Sequence, residues 1–158
     1  MLEVGSKAKE FKLLNDNNEE VSLSSLLKLN KKIILYFYPK DNTSGCTLEA
    51  LNYKDNYDTL INKYNVIVIG VSKDGVKSHI NFKSKYNLPF ALLSDESTNM
   101  LTDYDVYKEK SMYGKKYMGI VRTTYLINEE GIIIYANDKV KAKEDALNMI
   151  KVLDSLIK

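Results

Sequence analysis

Ile33-Ile34-Leu35-Tyr36-Phe37-Tyr38-Pro39 and Val66-Ile67-Val68-Ile69-Gly70-Val71 are two unbroken apolar runs rich in β-branched and aromatic residues. Each has the length of a strand buried on both faces, and Pro39 ends the first. Between them, Cys46, Ala50, Tyr53, Tyr57, Leu60, Ile61 and Tyr64 recur at helical steps of three and four. The spacing predicts one helix over about 44–63 and hence a βαβ unit, with parallel strands and a right-handed crossover.

Working outward, Asp74 reads as the N-cap of a helix to Tyr86, and Pro89-Phe90-Ala91-Leu92-Leu93 as another strand. Residues 97–103 suit a short helix. Ile120 to Ile127 and Ile132 to Ala136 form a hairpin about Asn128-Glu129-Glu130-Gly131, and residues 143–157 an amphipathic helix. Upstream, residues 10–23 read as a hairpin, and Ser24 as the N-cap of a short helix through Leu29. The order predicts a thioredoxin-like α/β fold: a central mixed β-sheet flanked by helices, with an N-terminal β-hairpin extension. Residues 1–158 are expected to form a single domain, as the length suggests.

Composition excludes several classes. Apolar residues are 44% and charged residues 28%, values of an ordinary globular chain. A net charge of +2 is too small to imply nucleic acid or an acidic membrane as partner. No apolar run reaches the ~18–20 residues of a membrane helix. The start, Met1-Leu2-Glu3-Val4-Gly5, lacks a signal segment, so the expected location is the cytoplasm. With one cysteine, no disulfide can form within the chain, and one Cys and one His make a structural zinc site improbable. Of 23 basic residues only Arg122 is an arginine. Its planar fork is something no lysine supplies.

Sites of open α/β sheets lie at the carboxyl ends of parallel strands. Here that end is Pro39-Lys40-Asp41-Asn42-Thr43-Ser44-Gly45-Cys46-Thr47, and Cys46 falls in the first turn of the predicted helix. Unpaired N–H groups and the helix dipole favour a thiolate there. A thiol brought from about 8.5 to about 6 gains roughly 30-fold in its reactive form at neutral pH.

Three chemistries compete for such a thiolate. Dithiol exchange needs Cys-x-x-Cys, but Thr43 stands where the partner thiol belongs. A cysteine hydrolase needs a base, and the one histidine, His79, reads as a surface or packing residue. Peroxide reduction needs only a thiolate, a hydroxyl to orient the O–O bond and a cation near the developing charge. Thr43 and Arg122 are the right types for the last two roles. The competing reading is a thioredoxin-like binding module or holdase whose cysteine is incidental.

Pro39-x-x-x-Thr43-x-x-Cys46 resembles the active-site signature of the peroxiredoxins. The strings Tyr36–Asp41, Gly45-Cys46-Thr47-x-Glu49-Ala50 and Lys110–Ile127 resemble the bacterioferritin-comigratory, or Q-type, subfamily. The resemblance implies a thiol-dependent peroxidase acting on hydrogen peroxide and small organic hydroperoxides, with no metal or organic cofactor. It implies Cys46 as the peroxidatic residue that becomes sulfenic acid. Thr43 would hydrogen-bond peroxide and thiolate, Gly45 would allow close approach to the Cys46 N–H, and Pro39 would shield the pocket. Arg122 would polarise the peroxide and favour the thiolate, with Glu49 orienting it.

Two positions depart from the subfamily. Ser44 replaces a usual proline, and Leu51 stands where many members carry a resolving cysteine. Resolution is therefore expected from outside: thioredoxin, glutaredoxin, a small thiol or Cys46 of a second chain. Family precedent implies a monomer or weak homodimer. Lys108, Lys110, Lys115 and Lys116 read as a solvated basic loop, and Gly70–Lys77 fails the spacing of a phosphate loop.

Overall fold

Seven strands hydrogen-bond into one mixed sheet in the computed structural model, which describes residues 1–157. In chain order the sheet contains β1 (Lys12–Asn15), β2 (Glu20–Ser22), β3 (Lys32–Phe37), β4 (Val66–Ser72), β5 (Ala91–Ser94), β8 (Thr123–Ile127) and β9 (Ile133–Asn137). The spatial order is β2-β1-β5-β4-β3-β8-β9. β3 pairs parallel with β4, and β4 with β5, whereas β8 runs antiparallel between β3 and β9. This is the thioredoxin-like arrangement that the order of elements predicted, and the N-terminal hairpin β1–β2 extends the sheet on the β5 side.

β3 is the centre of the molecule, and its alternation explains why its sequence is apolar throughout. Ile33, Leu35 and Phe37 point into one core with Ile69, Leu101, Tyr104 and Tyr125. Ile34, Tyr36 and Tyr38 point into the other with Tyr53, Leu60, Phe82 and Met149. Successive side chains of a strand face opposite sides, so a strand with helices over both faces has no position left for a polar residue.

The helices are α1 (Leu23–Leu27), α2 (Ser44–Asp55), α3 (Tyr57–Lys63), α4 (Val76–Tyr86), α5 (Asn99–Asp103) and α6 (Asp145–Ile157), the last preceded by a 3-10 turn at Ala142–Glu144. None is long and apolar enough to cross a membrane among the described residues.

Several boundaries differ from the sequence reading. The single helix expected over 44–63 is broken at Asn56 (φ −107°, ψ 8°), whose side-chain amide donates to the Asn52 carbonyl at 2.8 Å. An Asn side chain competing for backbone groups in this way is a known helix interrupter. Ser22, not Ser24, caps α1: its hydroxyl accepts from Ser25 N–H at 3.1 Å, and Ser25 Oγ accepts from Ser22 N–H at 3.2 Å. Gly75 rather than Asp74 occupies the N-cap of α4. The Asp74 carboxylate is engaged instead by Asp41 N–H at 2.8 Å and the Ser72 hydroxyl at 2.7 Å.

The largest difference is at the lysine-rich segment. It forms a separate antiparallel hairpin, β6 (Tyr107–Met112) with β7 (Lys115–Ile120), turned at Tyr113-Gly114 with both residues at positive φ. Ile120 thus ends β7, and β8 begins only at Thr123, leaving Val121 and Arg122 between two strands.

Gly70 marks where β4 passes closest to its neighbours. A Cβ there would lie 2.9 Å from Leu92 Cδ2 and 3.0 Å from the Tyr36 ring, both fully buried. Gly70→Ala is expected to cost about 1–3 kcal/mol by overpacking, measured by urea denaturation. Unchanged stability would show that this contact is not tight.

Candidate active site

β3 delivers the chain through Pro39 into a short loop that ends at the first turn of α2. Asn42 turns that loop with φ 62°, a conformation Asn tolerates better than most side chains. Asp41 anchors it. Its Oδ1 accepts from the Tyr38 hydroxyl at 2.6 Å, and Oδ2 from the Ser78 hydroxyl at 2.8 Å and His79 Nδ1 at 2.7 Å. The other imidazole nitrogen, Nε2, donates to the Leu93 carbonyl at 2.9 Å. His79 is fully buried against Asp41 and is not a surface group. The pair ties α4 and β5 to the loop that carries the cysteine.

Cys46 lies in the first turn of α2 and is only 1% exposed. It packs in the same core as Tyr36, Tyr38, Ala50 and Tyr53, so the sulfur is nearly enclosed rather than open at a cleft mouth. It is not walled in by hydrocarbon alone. Arg122, from the break between β7 and β8, places Nη2 at 3.3 Å from Sγ. Its Nη1 donates to Glu49 Oε1 at 2.6 Å. The guanidinium thus uses one arm on the sulfur and the other on a carboxyl of the same helix, as its fork geometry permits.

The remaining expected site residues surround this pair. Gly45 is half-buried, and a Cβ on it would approach Arg122 Nη2 to 3.2 Å. The absence of a side chain there lets the guanidinium reach the sulfur. Pro39 is half-buried at the end of β3. Thr43 holds the N-cap position of α2, but its side chain makes no capping bond and does not point its proton at the sulfur. Its hydroxyl donates to the Lys40 carbonyl at 2.9 Å, leaving the oxygen lone pairs free at the exposed rim. Glu49 is fully buried behind Arg122 and can act on a substrate only through the guanidinium.

Burial is the largest influence on Glu49 and lifts its carboxyl well above the ordinary 4.5; the nearby Asp145 adds to the lift, and Arg122 opposes it. For Arg122, burial disfavours the charge, but Glu49 and Cys46 outweigh it and raise the pKa above the usual arginine value.

Sequence reasoning missed two contributors. Lys110 is not part of a solvated loop: it is half-buried and donates to the Ile120 carbonyl at 2.5 Å. Burial and the like charge of Arg122 hold its ammonium below the ordinary lysine value, against the opposing pull of Cys46. Tyr107-Lys108-Glu109-Lys110-Ser111-Met112 has no apolar alternation to mark it as a strand, so its half-buried lysine gave no signal. Asp145 lies buried at the start of α6, accepting from the hydroxyls of Tyr53 and Thr124, each at 2.7 Å. A single acid in an amphipathic helix gives no signal of such burial.

Comparison with known proteins agrees with this geometry. The AhpC/TSA family matches residues 4–136. A Coxiella burnetii protein assigned to peroxiredoxin bcp is 52% identical over 140 residues, covering 89% of this chain and 91% of its own. Peroxiredoxin Bcp of Bacillus subtilis is 41% identical over 155 residues, 98% of this chain and 97% of its own. Among solved structures, a cysteine-to-serine mutant of Xylella fastidiosa PrxQ superposes with a TM-score of 0.92 at 32% identity, over 100% of this chain and 99% of that one.

Two expectations follow. His79→Leu removes a buried hydrogen-bond partner from both Asp41 and the Leu93 carbonyl and should cost about 2–4 kcal/mol in urea denaturation; a loss under about 1 kcal/mol would contradict the tether. A folded carboxyl with a raised pKa holds a proton that the unfolded chain has released. Its stabilisation is complete below the ordinary 4.5 and is lost as pH rises through the folded value. Glu49→Gln should therefore flatten the decline of stability as pH rises above the ordinary 4.5; a retained wild-type decline would contradict the shift.

Proposed function

We propose, from the premise that this chain belongs to the AhpC/TSA family and is a thiol-dependent peroxidase of the peroxiredoxin kind, that Cys46 is its peroxidatic residue and that it works as a one-cysteine enzyme. The observation that carries the assignment is the contact of Arg122 Nη2 with Cys46 Sγ at 3.3 Å. A guanidinium in that position lies beside the sulfur and can hold the charge that develops as the nucleophilic thiolate attacks.

The thiolate attacks the terminal oxygen of a hydroperoxide. The S–O bond forms as the O–O bond breaks, giving Cys46 sulfenic acid and an alkoxide, or hydroxide when the substrate is hydrogen peroxide. The leaving oxygen takes a proton and departs as alcohol or water. Thr43 Oγ1 has its own proton committed to the Lys40 carbonyl and so serves as an acceptor for the peroxide O–H. Arg122 stabilises the charge that passes from sulfur to the leaving oxygen. Gly45 keeps the approach clear, Pro39 shields the loop, and Glu49 steadies Arg122.

The one-cysteine reading is supported by the single cysteine of these 158 residues and by Leu51 in the place of a resolving thiol. An external thiol, such as thioredoxin, glutaredoxin or a small thiol, then attacks the sulfenic sulfur and releases water. A second thiol frees Cys46 and leaves the reductant as a disulfide. Such chemistry fits a single domain in a reducing compartment such as the cytoplasm, acting as a monomer or weak homodimer on hydrogen peroxide and small hydroperoxides.

Peroxide consumption by purified variants tests the assignment. Cys46→Ser is expected to be inactive, and Arg122→Lys about 100-fold slower, because a point charge cannot hold sulfur and Glu49 at once. Activity surviving in Cys46→Ser would refute the reading.

A further inference from the structure

Behind Arg122 lies an imbalance of protons. Glu49 Oε1 receives the guanidinium, and Asp145 Oδ2 receives the hydroxyls of Tyr53 and Thr124. The other oxygen of each carboxyl, Glu49 Oε2 and Asp145 Oδ1, is buried with no donor among the described residues. Glu49 and Tyr53 lie one turn apart among the buried residues of α2, Tyr53 holds Asp145, and Asn52 of the same helix holds Ala146 N–H, so both carboxyl groups are buried where α2 meets the start of α6. Two ionised carboxylates packed there repel, and each orphaned oxygen costs desolvation with nothing in return. One proton placed between the two orphans satisfies both.

We propose that Glu49 and Asp145 share that proton, Glu49 being the protonated partner that donates Oε2–H to Asp145 Oδ1, and that Asp145 is thereby a positioning residue for the peroxidatic site. The assignment within the pair follows from the donors. Asp145 Oδ2 already accepts two hydroxyl hydrogen bonds, whereas burial lifts the Glu49 carboxyl well above its ordinary value. Glu49 then offers Arg122 a neutral carbonyl rather than a full carboxylate. The guanidinium charge remains uncompensated on that side and is available to the sulfur. If Glu49 were ionised instead, its charge would lie 2.6 Å from Nη1 and draw the guanidinium away from Cys46.

The groups facing the pair set its conditions. Tyr36 of β3 and Tyr53 of α2 stay neutral, because burial raises both well above the ordinary phenol value, with the two carboxyl groups adding to it. Arg122 and the Cys46 thiolate complete the buried side. On the solvent side, Lys139, Lys141 and Glu144 line a cavity of about 270 Å³ that Asp145 also borders.

The inference rests on the reading of Cys46 as a reactive thiolate, but its test needs no peroxide. Infrared spectra of the reduced protein, labelled with 13C at Glu, are expected to show at neutral pH a protonated-carboxyl C=O band that moves with the label. Asp145→Asn removes the carboxylate that holds the proton and should abolish the band. The same change should slow alkylation of Cys46 by iodoacetamide at about pH 6 by about tenfold. Tyr53→Phe keeps the ring stacked on Tyr36 at 4.7 Å and removes one donor to Asp145. It should weaken the Glu band and slow alkylation in the same direction, and it carries the test if Asp145→Asn does not fold. Absence of a Glu-derived acid band in the wild type, or an unchanged alkylation profile in the folded variants, would overturn the proposal. Peroxidase activity surviving without Cys46 would sink the functional reading and leave these two readouts standing.

Discussion

A single guanidinium joins α2 to a segment more than seventy residues further along the chain. Arg122 sits where β7 has ended and β8 has not begun, and reaches both Cys46 and Glu49 across the carboxyl end of β3. Much of the surrounding architecture can be understood as keeping that reach fixed. Gly45 leaves room for Nη2, and Glu49 holds Nη1. The antiparallel pairing of β8 with β3 sets Thr123 opposite Phe37, so the residue before Thr123 is held at the end of β3 from which the cysteine loop departs. A charged group this near a nearly enclosed sulfur has little water to dilute its field.

The loop itself is held from the opposite side. The imidazole of His79 binds Asp41 and the Leu93 carbonyl together, so the turn preceding Cys46 is fixed to α4 and β5. Arg122 therefore contacts the sulfur from one side, and the backbone carrying the sulfur is tethered from the other. Both devices are buried polar contacts with well-matched partners. Such contacts add modest net stability, yet are costly to break one partner at a time. Their contribution here is geometric: the thiol, the hydroxyl of Thr43 and the guanidinium keep fixed relations without a bound substrate to organise them.

Much of this was legible in the sequence. β3 and β4 announced themselves because a strand buried on both faces must be apolar at every position, and Pro39 marked where the first one stops. Cys46, Thr43 and Arg122 were legible because few chemistries use a lone thiol at a strand-to-helix turn together with a lone arginine. Lys110 and the β6–β7 hairpin were hidden because a strand with one exposed face can be nearly all polar, and its lysines look like those of a loop. The break at Asn56 was invisible because the apolar period of α2 resumes in phase in α3. The burial of Glu49 behind Arg122 was not legible, since a glutamate in a helix is ordinarily exposed and only the family resemblance tied it to Arg122. Asp145 was silent, since nothing in its own helix tells that Tyr53 and Thr124 will close over it.

On the proposed reading, catalysis by this chain depends on the state of one sulfur held by one guanidinium. Peptide mass spectrometry of the reduced protein after one equivalent of hydrogen peroxide measures it directly, with a thiol donor added in a second sample. The predicted result is the gain of a single oxygen at Cys46, reversed by the donor and nearly absent in Arg122→Lys over the same interval. An unmodified Cys46 peptide beside consumed peroxide would contradict it.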